Sequence, residues 1–462
     1  MNNLTQIIAA VSTPPGKGGV AIIRMSGEGA FRIADKVFFP LNNKDFSECE
    51  ARKQIYGHII ENGEKIDDVL ATRFPAPHSY TGEDTVEIAC HGGILVTGAV
   101  LEALLSAGAV HATAGEFTRR AFINGRIGLT EAEAIADLLE AKSREQIRLS
   151  SDTARGRLAS KIADIRSSLV DLMSSIYARI DYPDEDLGDF SDDEVKSRLY
   201  IIKEECQALL KTYNTGRAVS EGIKTVICGK PNVGKSSFYN QLCGEDAAIV
   251  TDIEGTTRDV LTRSVPFGKI MLQIADTAGI RHTNAVDKVE QIGIEKSRQM
   301  IAKCELIFAI FDNSRAFDEE DRLLIEEIKN SSAPKIAIIN KGDLADKFDK
   351  SALGDCFDYT LVISAKEQTG LDELSALTDK LFTDEKIVIG EDAVISSARQ
   401  HAALKRCLDF VSAAEKSLDL GFSQDAASSD IERALGAISE LDGRAVSEEI
   451  VSDIFSKFCV GK

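Results

Sequence analysis

Residues 229–236, Gly-Lys-Pro-Asn-Val-Gly-Lys-Ser, spell a complete G-x-x-x-x-G-K-S phosphate loop, and this stretch restricts the fold more tightly than any other. Thr225-Val226-Ile227-Cys228 in front of it is a short apolar run of buried-strand type, and Ser236 to Leu242 behind it reads as the first turns of a helix. A strand that turns through glycines into a helix aims several backbone N–H groups and the positive end of a helix dipole at one point. That geometry holds a polyphosphate. Lys235 is then placed to neutralise the β- and γ-phosphates, and the Ser236 hydroxyl to ligate Mg²⁺. A glycine-rich turn without this role would not need the strand before it and the helix after it. The stretch predicts a nucleotide-binding domain.

A chain of 462 residues is expected to make two to four domains, each with its own core. Its formal net charge of −20 excludes indiscriminate binding of polyanions, so nucleic acid would have to meet a local basic patch or a partner protein. The nine cysteines are scattered, with no C-x-x-C pair, which argues against a disulfide framework or a zinc site and fits a reducing cytosol. The opening residues, MNNLTQ, carry no basic stretch followed by an apolar core, and there is no run of 18 apolar residues. The expectation is a soluble, cytoplasmic protein.

Residues 1–118 read as a compact α+β unit, with strands at Ile7–Val11, Val20–Met25, Gln54–Ile60, Asp68–Phe74 and Thr85–Ala89. Helices are expected at Phe31–Phe39 and Ile94–Ala107. Residues 119–217 are expected to be helical. From Leu158 the apolar residues Leu158, Ile162, Ile165, Leu169, Leu172, Ile176 and Ile180 follow steps of four and three, a stripe that needs a helical partner and that Pro183 ends. Lys142, Arg144, Arg148, Arg155, Arg157, Lys161 and Arg166 make this region locally basic. An RNA-facing surface and the solvated side of an amphipathic helix are the two readings, and the acids Glu145, Asp152 and Asp164 favour the second. A further helix is expected from Asp192 to about Asn214.

Residues 218–383 alternate strands (Lys269–Ala275, Leu306–Phe311, Lys335–Ile339, Thr360–Ser364) with helices (Val289–Ala302, Glu319–Lys329, Leu371–Leu381), which implies a mostly parallel, doubly wound sheet. Residues 384–462 are helical again, at Ala398–Leu418, Asp430–Leu441 and Ser447–Phe458. The fold class is therefore multidomain: an α+β N-terminal domain, an all-α central domain, and an α/β P-loop domain of Ras-like type inserted into the helical one.

Four more motifs follow the phosphate loop in the order of a GTPase. Gly255-Thr256-Thr257-Arg258 supplies a switch threonine, Thr257, for Mg²⁺. Asp276-Thr277-Ala278-Gly279 supplies Asp276 for the Mg²⁺ shell and the Gly279 N–H for the γ-phosphate. In Asn340-Lys341-Gly342-Asp343, the Asp343 carboxylate would accept from guanine N1–H and the 2-amino group, neither of which adenine offers. Ser364-Ala365-Lys366 would back the guanine ring. After Gly279 comes Ile280, where Ras-type enzymes carry the glutamine that orients water. Asn232 either ligates a monovalent cation that bridges the phosphates or only shapes the loop.

The set Gly229–Ser236, Thr251-Asp252-Ile253-Glu254-Gly255-Thr256-Thr257-Arg258-Asp259, Asp276–Gly279, Asn340–Asp343 and Cys459-Val460-Gly461-Lys462 resembles the MnmE (TrmE) family of tRNA-modification GTPases. So does the pattern Thr13-Pro14-Pro15-Gly16, Arg24-Met25-Ser26-Gly27, Tyr80-Thr81-Gly82-Glu83-Asp84 and His91-Gly92-Gly93, and the likeness covers essentially the whole chain. The resemblance implies a GTP site of Asn232, Val233, Gly234, Lys235, Ser236 and Ser237, the loop Thr251 to Thr257, Asp276 to Gly279, then Asn340, Lys341, Asp343, Ser364, Ala365 and Lys366. It implies Mg²⁺ at Ser236 and Thr257, K⁺ at Asn232, Thr251, Ile253 and Thr256, and Glu290 as the water-orienting residue. The segment His282–Lys288 is about two residues longer than the pattern, which leaves Asp287 as the alternative to Glu290. The resemblance further implies a homodimer through the N-terminal domain, with a tetrahydrofolate derivative (5,10-methylene or 5-formyl) at Arg24, Glu87, Arg126 and Lys462. A partner, MnmG (GidA), would carry FAD, and together the two would place an aminomethyl-type group on C5 of the wobble uridine of certain tRNAs. For Cys459 a catalytic thiol and a structural or folate-site role are the two readings. The alternative class is a regulatory switch GTPase, of ribosome-assembly type, that changes no nucleoside. The N-terminal pattern and Cys459-Val460-Gly461-Lys462 separate the two, because a switch needs neither.

Overall fold

The computed structural model describes residues 5–181, 191–243, 262–275 and 299–462. The chain forms two compact units, one built from Met1–Leu139, Thr153–Ile202 and Arg406–Lys462, the other from Glu140–Asp152 and Lys203–Lys405.

In the first unit, strands β1 (Ile8–Val11), β2 (Val20–Ser26), β3 (Phe38–Pro40), β4 (Ile55–Glu61), β5 (Glu64–Phe74), β6 (Thr85–His91) and β7 (Val110–His111) form one sheet in the order β3-β4-β5-β6-β2-β1-β7. Neighbours are antiparallel except β1 and β7. The period-2 pattern of β2 turns Ala21, Ile23 and Met25 to one face, where helices α1 (Ala30–Val37) and α2 (Ile94–Ser106) cover them. In α1 the buried residues Ala30, Ile33, Ala34 and Val37 fall at steps of three, one and three, a single stripe. Arg24 is left on the other face of β2, with Tyr80 and Phe117. The expected strands and helices of residues 1–118 form, except that the helix expected to Phe39 stops at Val37 and Phe38–Pro40 make strand β3; β3 and β7, of three and two residues, are too short to show a period.

Helices α3 (Glu116–Ile123), α4 (Leu129–Glu140), α5 (Arg144–Ala154), α6 (Arg157–Asp181), α7 (Asp192–Lys211) and α8 (Tyr213–Ser220) follow. The break between α7 and α8 divides what the sequence reads as one helix to Asn214.

The second unit carries a six-stranded sheet of β8 (Ile223–Cys228), β9 (Thr262–Phe267), β10 (Ile270–Ala275), β11 (Leu306–Asp312), β12 (Lys335–Asn340) and β13 (Tyr359–Val362), in the order β13-β12-β11-β8-β10-β9. All pairs are parallel except β9 with β10. Helices α9 (Lys235–Cys243), α10 (Glu319–Ile328) and α11 (Leu371–Phe382) accompany it. All seven residues of β11 are buried. Leu306, Phe308 and Ile310 pack with Phe238 and Leu374 on one face, and Ile307, Ala309 and Phe311 pack with Ile328 on the other. A strand covered on both faces has no polar side, which is why its sequence is a continuous apolar run. The edge strand β9 escapes sequence reading because it contains Pro266, a residue tolerated only where a ladder hydrogen bond is not needed. The helix expected at Val289–Ala302 lies mostly outside the described residues.

Helices α12 (Ala398–Asp419), α13 (Gln424–Ser439) and α14 (Glu448–Ser456) complete the chain. Helix α6 packs on α13, and Leu158, Ile162, Ile165, Leu169, Leu172 and Ile176 are each at most 1% exposed, so the heptad-like stripe is the seam of this pair. No helix among the described residues is long and apolar enough to cross a membrane. Ile165→Ala would leave a cavity in the seam and is expected to cost about 2–5 kcal/mol, read as a lowered urea midpoint of the α6 unit.

Candidate nucleotide and folate sites

Strand β8 delivers the chain into the phosphate loop, and α9 begins at Lys235. Glycine is required at two positions there. Gly229 has φ +152°, and a Cβ on it would stand 2.6 Å from the Ile310 carbonyl oxygen of β11. Gly234 has φ +100°, and a Cβ on it would collide with Asn340 Nδ2. Asn232 is exposed and left-handed, with φ 65°. Lys235 Nζ donates to the carbonyls of Gly229 at 2.8 Å and Lys230 at 2.7 Å, so its ammonium is held over the mouth of the loop.

The second half of the site comes from the carboxyl ends of β12 and β13. Asn340 is 2% exposed, and its side-chain amide donates to the Val233 carbonyl at 2.9 Å while its Oδ1 accepts from Ala365 N–H at 2.9 Å. One side chain therefore ties the phosphate loop to the Ser364-Ala365-Lys366 loop. Lys341 Nζ donates to the Asn232 carbonyl at 3.0 Å and to buried Asp312 at 2.6 Å. Burial pushes the Asp312 carboxyl up, but hydrogen bonds from Lys341 and Ser314 outweigh it and hold the group below the usual carboxylate range. Asp343 accepts from the Ser364 hydroxyl at 2.6 Å, which lowers its pKa and keeps it an ionised acceptor. Such a carboxylate suits paired N–H donors on one edge of a purine. Ser236 and Ser237 occupy the first turn of α9.

Thr251, Asp252, Ile253, Glu254, Gly255, Thr256, Thr257, Asp276, Thr277, Ala278, Gly279, Asp287 and Glu290 lie outside the described residues.

In the first unit, Arg24 and Glu87 face each other in register on β2 and β6 and pair at 2.8 Å. The Arg24 guanidinium also lies 5.3 Å from the centre of the Tyr80 ring and 5.7 Å from that of Phe117. Arg126 is exposed against the Tyr80–Gly82 turn, its Cγ 3.2 Å from where a Cβ on Gly82 would stand. Beneath them the fully buried Arg120 pairs with Glu83 at 3.1 Å and Glu116 at 3.0 Å, and Ser26 donates to Glu83 at 2.8 Å. The segment that carries Cys459 and Lys462 is fixed to the same sheet. Val460 bridges Ala114, and the Ser12 hydroxyl donates to the Gly461 carbonyl at 2.8 Å. Ser12 follows β1, and Val11 is paired with Ile23, the neighbour of Arg24. Cys459 is exposed. Arg24, Glu87 and Arg126 thus share the surroundings of Tyr80 and Gly82, and Lys462 is brought to the end of the adjoining strand.

Sequence reasoning assigned no role to Tyr80, Phe117, Arg120, Asp312 or Lys230. Asp318-x-x-Asp321 has the spacing of a capping box, which the structure completes with Lys230.

A parallel sheet whose first strand turns through a glycine loop into a helix, with Asn-Lys-Gly-Asp and Ser-Ala-Lys loops closing on it, defines the P-loop GTPase class of nucleotide domain. Comparison with known proteins narrows the class. A family model described as "MnmE helical domain" matches residues 129–459, and one described as "GTP-binding protein TrmE N-terminus" matches residues 7–126. A protein of Thermotoga sp. (strain RQ2) named "tRNA modification GTPase MnmE" is 41% identical over 461 residues, 98% of this chain and 99% of its own. Proteins of the same name from Acetivibrio thermocellus and Clostridioides difficile are 39% and 37% identical, with the same shares covered. The chain belongs to the MnmE family.

Gly234→Ala would drive a methyl group into the Asn340 amide in a backbone conformation that alanine avoids. It is expected to weaken binding of Mg·GDP by roughly a hundredfold or more, measured by fluorescence titration with a labelled nucleotide.

Proposed function

We propose that this chain hydrolyses GTP and takes part in modifying tRNA, as the name borne by its relatives describes. The observation that carries the reading is the Asn340 amide, which holds the phosphate loop and the guanine-side loop as one site. Asp343 selects guanine, and Lys235 binds the β- and γ-phosphates. Ser236 and Thr257 hold Mg²⁺. Asn232, left-handed at the crest of the loop, joins Thr251, Ile253 and Thr256 in holding K⁺, which supplies the positive charge that an arginine would otherwise bring. Glu290 orients the attacking water.

Residues 1–118 bind a tetrahydrofolate derivative, 5,10-methylene or 5-formyl, and form the homodimer. The Arg24–Glu87 pair supports this, since a carboxylate can accept pterin N–H groups while Arg24, Arg126 and Lys462 meet anionic parts of the ligand. The helical residues 119–217 and 384–462 flank the GTPase residues 218–383. Cys459, fixed beside the same sheet, belongs to this site in a catalytic or a structural role. With MnmG and its FAD, the homodimer makes the 5-aminomethyl-type group at uridine 34 of certain tRNAs in the cytoplasm, the folate supplying one carbon.

Mass spectrometry of tRNA nucleosides from cells with and without the gene tests the whole reading. Loss of a C5-substituted wobble uridine is expected, and an unchanged profile would overturn the nucleoside chemistry in favour of a switch. Asp343→Asn tests the guanine step separately. Its preference for GTP over ATP should fall by a factor on the order of a hundred or more, and unchanged selectivity in competition titrations would refute the role of Asp343.

A further inference from the structure

Lys230 is the second residue of the phosphate loop, yet its side chain does not serve the phosphates. Only 7% exposed, it donates through Nζ to Asp318 Oδ2 at 2.5 Å and to Asp321 Oδ2 at 2.8 Å. These two carboxylates are the capping box of α10. Asp318 Oδ1 accepts from the Asp321 N–H at 3.1 Å, and Asp321 Oδ2 accepts from the Asp318 N–H at 3.2 Å. The Asp321 side chain is 2% exposed. A buried ammonium on a buried carboxylate is costly to desolvate, and a small residue at this loop position would avoid that cost altogether. The burial therefore needs a reason.

The backbone of the same residue gives one. The Lys230 carbonyl accepts from Lys235 Nζ at 2.7 Å, beside the Gly229 carbonyl at 2.8 Å. Those two oxygens hold the Lys235 ammonium where it stands. Pro231 follows, and a proline restricts the backbone of the residue before it, so Lys230 is fixed from both sides. We infer that Lys230 is a positioning residue for GTP binding and hydrolysis: its ion pair with Asp318 and Asp321 anchors the rising limb of the loop to α10, and the anchored carbonyls aim Lys235 at the phosphates. Helix α10 thereby becomes part of the site without touching the nucleotide.

This inference rests on the loop being a GTP site, and the test separates the two. Full-length protein is titrated with fluorescently labelled GDP and Mg²⁺, and its melting temperature is recorded in parallel. Lys230→Met should weaken GDP binding roughly ten- to hundredfold while GDP remains preferred over ADP, because Asp343 is untouched. It also leaves Asp321 buried and unpaired, so the melting temperature should fall. The double variant Lys230→Met with Asp321→Asn removes that charge and keeps an amide oxygen for the Asp318 N–H. It should regain most of the melting temperature and none of the affinity. If affinity returns together with the melting temperature, Lys230 is only a structural residue and the inference fails. It fails as well if Lys230→Met binds GDP as the unaltered protein does. Unaltered protein that binds no GDP would remove the functional reading and this inference with it.

Discussion

In the nucleotide domain one carboxamide joins the phosphate loop to the Ser364-Ala365-Lys366 loop. Asn340 stands at the carboxyl end of β12, buried to 2% exposure, with both ends of its amide in use. Its NH₂ group takes the carbonyl of Val233, and its oxygen takes the N–H of Ala365. No other neutral side chain of that length offers a donor and an acceptor in one plane. Gly234 is a glycine partly because this amide passes where its side chain would be. The phosphate end and the base end of the site cannot shift independently while that amide is in place. Lys341 repeats the connection with a charge, from Asp312 to the Asn232 carbonyl.

The sheet beneath supplies the rigidity. Parallel strands buried on both faces leave their carboxyl ends as the one place where polar loops can gather, so the loops after β8, β12 and β13 meet there. The apolar run Leu306–Phe311, buried on both faces, joins β8 to β12 and so holds their carboxyl ends in register. The same logic runs in a thinner form through the N-terminal sheet. One face of β2 carries Ala21, Ile23 and Met25 to the core and leaves Arg24 on the other, where two aromatic rings and Glu87 fix it.

Periodicity made most of this architecture legible. The strand β11, the stripe from Leu158 to Ile176 and the loop Gly229–Ser236 each repeat or punctuate on a scale that a sequence displays directly. Motifs with fixed spacing put Asn340, Asp343 and Ser364 at or just after strand ends, and the structure has them at the carboxyl ends of β12 and β13. What stayed hidden was of another kind. The two aspartates that receive Lys230 are 88 and 91 residues away, and nothing local distinguishes it from a solvated lysine. Phe117 looks like any core aromatic until Arg24 is seen against it. The edge strand β9 and the break after Lys211 depend on tertiary surroundings that override propensity. Partnerships across long sequence separations are decided by the fold, so they can be read only from it.

The Ser12–Gly461 hydrogen bond joins residues 449 positions apart. That separation imposes an order on biosynthesis. The stretch from Ile223 to Phe382, which holds every strand of the nucleotide sheet, is one uninterrupted piece of chain and can close while later residues are still being added. Ser12 emerges early but meets Gly461 only when residue 461 has been made, roughly 20 to 90 seconds later at about 5–20 residues per second. A newborn chain can therefore close its nucleotide sheet before the Ser12–Gly461 bond forms. During that interval the backbone at Ala114 and the hydroxyl of Ser12 lack the partners that Val460 and Gly461 later supply.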